Sequence, residues 1–149
     1  MLSVRKASAS DAEVLYDLYL NHLAPGYAAL PQDMGLWREK IARFEKDPSY
    51  HLLVGETDGE VVSSATCIII ENLTHDARPY ALIENVVTRA DMRGKRYATT
   101  VMERACAVAA ETGCYKVMLL TGSKREETYR FYENCGFNRR DKTAFIRRL

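Results

Sequence analysis

Val86-Val87-Thr88-Arg89-Ala90-Asp91-Met92-Arg93-Gly94-Lys95-Arg96-Tyr97-Ala98 passes from a β-branched run through a short basic turn into a segment with helical spacing. Over 93–112 the apolar positions Tyr97, Val101, Ala105, Val108 and Ala109 recur at three and four residues, which predicts an amphipathic helix closed by Gly113. A strand that runs through a turn directly into a helix leaves several backbone N–H groups without intrahelical acceptors. They face one concavity, where the helix macrodipole is positive. Arg93, Lys95 and Arg96 surround that concavity with charge. The pattern describes a pyrophosphate cradle, and equally an ordinary basic helix start with a solvated face; spacing alone leaves both open. It is not a Walker A loop, because the Gly-Lys-Ser/Thr ending is missing, nor a dinucleotide fingerprint, because three spaced glycines are missing.

Toward the N-terminus, Tyr80 to Thr88 reads as a strand after a polar loop 71–79. Tyr50 to Glu56 and Glu60 to Ile70 are β-rich runs separated by Asp58-Gly59, a hairpin signal. Leu2 to Lys6 alternates as a strand, and Ser10 stands three residues before Glu13, the spacing of a capping box, opening a helix over about 11–23. Ala24-Pro25-Gly26 breaks that helix, and a second runs from about 33 to 46 before Asp47-Pro48. Toward the C-terminus follow a strand within Tyr115 to Thr121, a polar helix Lys124 to Asn134, an optional short strand at Phe137 and a last strand Thr143 to Leu149. The expected fold is a single α/β (α+β) domain spanning 1–149.

The chain has 149 residues, 47% of them hydrophobic and 28% charged. These values exclude disorder, collagen-like repeats and coiled coil, and the length excludes separate substrate and cofactor domains. A formal net charge of +1 argues against a dedicated nucleic-acid binder. The total hides an asymmetry: residues 1–88 carry 7 Lys/Arg against 13 Asp/Glu, and 89–149 carry 14 against 7. The second half suits an anion. Cys67, Cys106, Cys114 and Cys135 form no C-x-x-C pair and read as reduced, packed thiols, with no metal site expected. The N-terminus lacks a basic segment followed by an apolar run, and no stretch reaches about 18–20 apolar residues, so the expectation is a cytoplasmic protein with no membrane partner.

The strand, the turn Arg93-Gly94-Lys95-Arg96-Tyr97-Ala98, the helix, the next strand and Phe131-Tyr132-Glu133-Asn134-Cys135-Gly136-Phe137 together resemble the GNAT superfamily of acyl-CoA-dependent N-acetyltransferases. Within it, Ile83-Glu84-Asn85-Val86-Val87 followed by Gly113-Cys114-Tyr115-Lys116-Val117 is similar to glucosamine-6-phosphate N-acetyltransferases. The resemblance implies a mixed, mostly antiparallel central sheet flanked by helices, with acetyl-CoA as cosubstrate. It implies contacts to the cosubstrate from Val86, Val87, Thr88, Arg93, Gly94, Lys95, Arg96, Tyr97 and Ala98, and from Thr128 near the place of a family asparagine. Two departures stand out. Arg96 replaces a motif glycine, adding bulk where backbone comes close to pyrophosphate. Asn85 stands where the amino-sugar enzymes usually carry aspartate.

Acetyl transfer to an amine requires a neutral amine, a stabilised oxyanion and a proton for the departing thiolate. Glu84, a carboxylate inside an apolar run, suits the first task directly or through water; its alternative is a structural carboxylate paired with an arginine. Tyr132 resembles the family tyrosine beside the sulfur and is the candidate acid, the alternative being a packed core ring. A strand amide near Val86 or Val87 is the implied oxyanion donor. Cys135 as an acyl-carrying nucleophile is disfavoured, and His22, His51 and His75 receive no role. The expected activity is acetyl transfer from acetyl-CoA to a primary amine of a small molecule, with the first helices and loop 71–79 shaping the acceptor side and a homodimer as a possible assembly. Two rivals are a non-catalytic acyl-CoA sensor and acetylation of a protein or peptide amine. A nucleic-acid reading, resting on Arg139, Arg140, Lys142, Arg147 and Arg148, conflicts with the near-neutral charge.

Overall fold

The computed structural model describes residues 1–23 and 32–149. The expected break at Ala24-Pro25-Gly26 lies outside the described residues. β1 (Ser3–Lys6), β2 (Tyr50–Thr57), β3 (Glu60–Ile70), β4 (Tyr80–Thr88) and β5 (Val117–Leu119) form one sheet in the order β1-β2-β3-β4-β5. The first three junctions are antiparallel and β4–β5 is parallel, the mixed sheet expected. Asp58 and Gly59, both at positive φ, turn the β2–β3 hairpin, as that dipeptide favours.

Helices cover both faces. α4 (Tyr97–Glu111) lays Val101, Met102, Ala105 and Ala109 against Leu53, Ala65, Cys67 and Ile83. On the other face α1 (Ala12–Asp17) and α2 (Met34–Lys46) bury Ala12, Leu15 and Ile41 against Leu52, Val54, Val61 and Val87. Because neighbouring side chains on a strand point to opposite faces, Leu52 and Val54 serve one core while Leu53 serves the other. Gly55 sits where β2 passes closest to α4. A Cβ there would lie 2.9 Å from Leu2 Cδ2 and 2.9 Å from Val101 Cγ2, and Val101 is fully buried and β-branched. Gly55→Ala is therefore expected to destabilise the fold by about 1–3 kcal/mol in chemical denaturation, the usual cost of overpacking.

Four local expectations are corrected. The capping box lies two residues before Ser10: the amide and hydroxyl of Ser8 donate to Asp11, whose carboxylate also accepts from Arg5 at 2.8 and 2.9 Å. Burial alone would push the Asp11 carboxyl up, but these hydrogen bonds outweigh it and hold it below the usual carboxylate range. The first helix changes character at its end, where Leu18–Leu23 form a π-turn. Loop 71–79 contains α3 (Thr74–Ala77), a single turn in which His75, Asp76 and Ala77 take left-handed backbone angles. After α5 (Glu126–Asn134) neither expected strand forms: Phe137 and residues 143–149 are irregular, because period-two alternation reports suitability for a strand and no strand among the described residues pairs with this one.

Candidate active site

β4 and β5 pair over only three residues, Ala81–Val117, Leu82–Met118 and Ile83–Leu119, and then part. Glu84 to Thr88 thus run on with no strand on the β5 side among the described residues. A bulge enlarges the gap: two β3 steps from Ser64 to Thr66 face three β4 steps from Val87 to Glu84, and Asn85 takes φ +53° to absorb the extra residue. Asparagine tolerates that left-handed geometry as aspartate would, so the departure at position 85 removes a charge without disturbing the bulge.

The opening is the mouth of a cleft of about 1080 Å³. Its floor is Ile83 to Thr88, and its walls are Leu119 to Ser123 of the β5 end and Thr128, Phe131 and Tyr132 of α5. The far end is the turn that starts α4, contributing Met92, Arg93, Gly94 and Arg96 to Thr99. The first backbone hydrogen bond of that helix runs from the Thr100 amide to the Arg96 carbonyl, and Arg96, the N-cap, supplies no side-chain acceptor. The amides of the first turn are therefore free to meet an anion at the positive helix end.

Gly94 and Arg96 both lie at positive φ, +77° and +63°. For Gly94 this carries no steric penalty, whereas Arg96 holds a left-handed conformation at a cost of about 1–2 kcal/mol. Arg96→Gly is accordingly expected to be at least as stable as the natural chain. Arg96→Val, which is β-branched at the same φ, is expected to lose about 1–2 kcal/mol; denaturant midpoints compare the two.

Arg93 spends its guanidinium on the protein, donating to the Thr88 carbonyl and the His22 carbonyl at 3.2 Å each. It straps the end of β4 to the π-turn while leaving its charge in the cleft. Lys95 lies outside the lining and donates to Met92 Sδ at 3.2 Å. Thr128 lines the wall and shares a hydrogen bond with Ser123 Oγ at 3.0 Å. Val87 and Thr88 are buried, and Thr88 Oγ1 and the Val87 carbonyl are both held by Ser63 Oγ.

Glu84 is half-buried on the cleft floor, and among the described residues no cation lies within ion-pair distance of it. Its side chain faces an open cleft rather than an arginine. Tyr132 packs its ring against Phe131 and Phe137 at 5.0 and 6.4 Å between centroids. Burial, with smaller contributions from Cys135 and Glu84, raises its phenol above the ordinary tyrosine value, so the hydroxyl keeps its proton throughout neutral pH.

His22 and Leu23 also line the cleft. The Ala90 amide donates to His22 Nδ1 at 3.3 Å, joining the π-turn to the basic turn. No local sequence signal marks His22, because the contact spans 68 residues. Loop 71–79, expected on the acceptor side, contributes no residue to the lining of this cleft. It joins the start of β4, and the cleft floor begins at Ile83. In the loop, His75 stacks on Tyr115 at 3.9 Å, and Arg78 donates to the Gly113 and Cys114 carbonyls. Cys135 packs against the α4-side core with its thiol pushed up by burial, and all four cysteines are free.

A model of the Acetyltransferase (GNAT) family matches residues 13–137, and the chain belongs to that family. A solved structure from Agrobacterium tumefaciens str. C58, described as an acetyltransferase, superposes with TM-score 0.88 and 39% identity, covering 99% of each chain. The glucosamine 6-phosphate N-acetyltransferase of Arabidopsis thaliana is 25% identical over 135 residues, 91% of this chain and 89% of that relative. That of Trypanosoma brucei brucei is 31% identical over 84 residues, 56% of this chain and about half (55%) of the relative's length. The fold and family make this an acetyl-CoA-dependent N-acetyltransferase. No helix among the described residues is long and apolar enough to cross a membrane, and none of them form a group of three or more His, Cys, Asp or Glu suited to a metal.

Proposed function

We propose that the chain transfers the acetyl group of acetyl-CoA directly to a primary amine of a small molecule bound at the Glu84 side of the cleft. One observation carries the reading: the parted strands β4 and β5 lead in one continuous cleft from Glu84 and Tyr132 to the amides at the start of α4. The cleft is at the upper end of ligand-pocket sizes and joins an anion cradle to an apolar slot, as a diphosphate on a long thioester arm requires. When bound there, acetyl-CoA supplies an activated acetyl thioester.

The chain's residues supply the rest. Glu84 accepts the proton of the incoming ammonium, directly or through water, and releases it to solvent after transfer. The amide of Val86 or Val87, on the open side of β4, donates to the oxygen where negative charge develops. As the C–N bond forms and the C–S bond breaks, Tyr132 gives its phenol proton to sulfur, and the second proton of the acetylated nitrogen passes through water to restore the phenol. Arg93, Gly94, Arg96, Tyr97 and Ala98 hold the diphosphate, with Thr128 beside the arm and Lys95 adding charge from outside the lining. The names of the relatives support an amino sugar as the first acceptor to try, while the acidic balance of residues 1–88 supports an unphosphorylated, cationic amine. Acetyl-CoA incubated with glucosamine, glucosamine 6-phosphate, polyamines, amino acids and peptides tests this. One CoA thiol released per acetylated small amine is expected. Tight acetyl-CoA binding with no acetylated amine would make the chain a sensor, and acetylation confined to peptides would overturn the small-molecule reading.

A further inference from the structure

The basic turn is anchored from outside by a residue that no motif marks. Ala90–Met92 form a 3₁₀ turn between β4 and α4, and a helical start leaves its first amides without intrahelical acceptors. Arg89 stands at the cap position, but a guanidinium can only donate, and this one is held by Asp91 at 2.8 Å and Glu60 at 3.0 Å. The acceptor for the Ala90 amide comes instead from His22, 68 positions away in the π-turn Leu18–Leu23.

That hydrogen bond fixes the state of the ring. A backbone N–H cannot accept, so Nδ1 carries a lone pair and the ring proton sits on Nε2, which faces the Asp17 carboxylate at 3.9 Å. The carbonyl of the same residue accepts from Arg93 Nη2 at 3.2 Å, while Arg93 Nε donates to the Thr88 carbonyl. His22 thus grips the turn at two points, residue 90 through its ring and residue 93 through its backbone. Beyond Arg93 the chain passes through Gly94 and Arg96, both at positive φ, before the first hydrogen bond of α4 closes on Thr100. π-Turns recur at functional sites, and this one brings the ring and the carbonyl of His22 to the same short segment.

We infer that His22 is a positioning residue for the diphosphate cradle: its neutral ring and its carbonyl hold the turn 90–93 so that the amides opening α4 face the cleft. It acts through Ala90 and Arg93 rather than by touching the cosubstrate, and the inference rests on the cosubstrate reading of the cleft. A side-chain substitution leaves the carbonyl and its Arg93 link in place, so removal of the ring nitrogen isolates the Ala90 contact. An amide deprived of that acceptor turns to water or to another partner, the turn loosens, and an arriving anion must order it again before it can bind.

Two variants separate the acceptor from the bulk. His22→Phe keeps a ring and removes the acceptor, whereas His22→Asn keeps an oxygen at the place of Nδ1. Calorimetric titration with acetyl-CoA is expected to show an affinity about 5–20-fold weaker in the Phe variant, the range of one lost hydrogen bond, and largely restored in the Asn variant. Hydrogen exchange of the Ala90 amide should be slow in the natural chain and in the Asn variant and fast in the Phe variant. Long-range ¹H–¹⁵N spectra of the natural chain above neutral pH should show His22 with Nδ1 bare and Nε2 protonated, a readout that decides the matter if the Phe variant does not fold. A proton on Nδ1 alone, equal affinity in the natural chain and the Phe variant, or an Asn variant as weak as the Phe variant would overturn the positioning role and leave the cleft reading intact. No binding of acetyl-CoA by the natural chain would overturn both.

Discussion

Glu84→Gln is expected to slow acetyl transfer by about 10²–10⁴ while leaving the melting temperature almost unchanged. The substitution keeps volume and most hydrogen-bonding capacity and removes only the proton acceptor. A carboxylate locked in a buried ion pair would behave in the opposite way, costing about 3–5 kcal/mol of stability when its charge is removed. The open position of Glu84, with no cation in ion-pair reach among the described residues, sets the expectation of little stability change. The lost rate should return as pH rises, because more of the acceptor amine is then neutral and needs no base. That recovery requires the thiolate's acid to stay protonated, and Tyr132, raised above the ordinary tyrosine value, does so across the window. A pH–rate profile of the variant parallel to that of the natural chain, with a large loss of Tm, would remove Glu84 from the chemistry.

Tyr132→Phe is expected to lower kcat by about 10²–10⁴ with little change in KM for acetyl-CoA. The ring keeps its contacts with Phe131 and Phe137, so ground-state packing survives, whereas in the proposed mechanism the hydroxyl acts only as sulfur departs. The natural enzyme should lose activity on the alkaline side, above the ordinary phenol range, because burial raises the Tyr132 phenol and it is the protonated form that works. The phenylalanine variant should lack that limb. An unchanged kcat over the whole pH range would reduce Tyr132 to a packing residue and leave the thiolate to solvent.

Much of the fold was legible because its signals are local. Asp58-Gly59 can turn a hairpin with no help from elsewhere, and the spacing of Val101, Ala105, Val108 and Ala109 marks the buried face of α4. Glu84, Thr128 and Tyr132 reach the same cleft although 48 positions separate the first from the last, which motif order implied and composition did not. What was missed depends on contacts between distant segments. Ser8 as the cap is the local exception: it bonds Asp11 three residues on, and Arg5, six residues before Asp11, holds the same carboxylate. His22 joins the cleft through residues 68 and 71 positions away. His75 and Tyr80 suggested an acceptor loop by their chemistry, but both rings pack on Tyr115 and neither lines the cleft. Thr143 to Leu149 has the pattern of a strand but pairs with none among the described residues.

Titrating acetyl-CoA calorimetrically into the natural chain and into Thr99→Glu tests most directly whether the parted strands and the start of α4 form the cosubstrate site. Thr99 is the third residue of α4 and lines the cleft, so a carboxylate there suits the positive helix end and should not lower Tm. The same carboxylate would face a bound diphosphate with like charge, at a cost of about 1.4–3 kcal/mol if partly desolvated. The expected result is one acetyl-CoA per natural chain and an affinity roughly 10–100-fold weaker in the variant, with the fold intact. Equal affinity of the two proteins, or no binding by the natural chain, would contradict the assignment of this cleft.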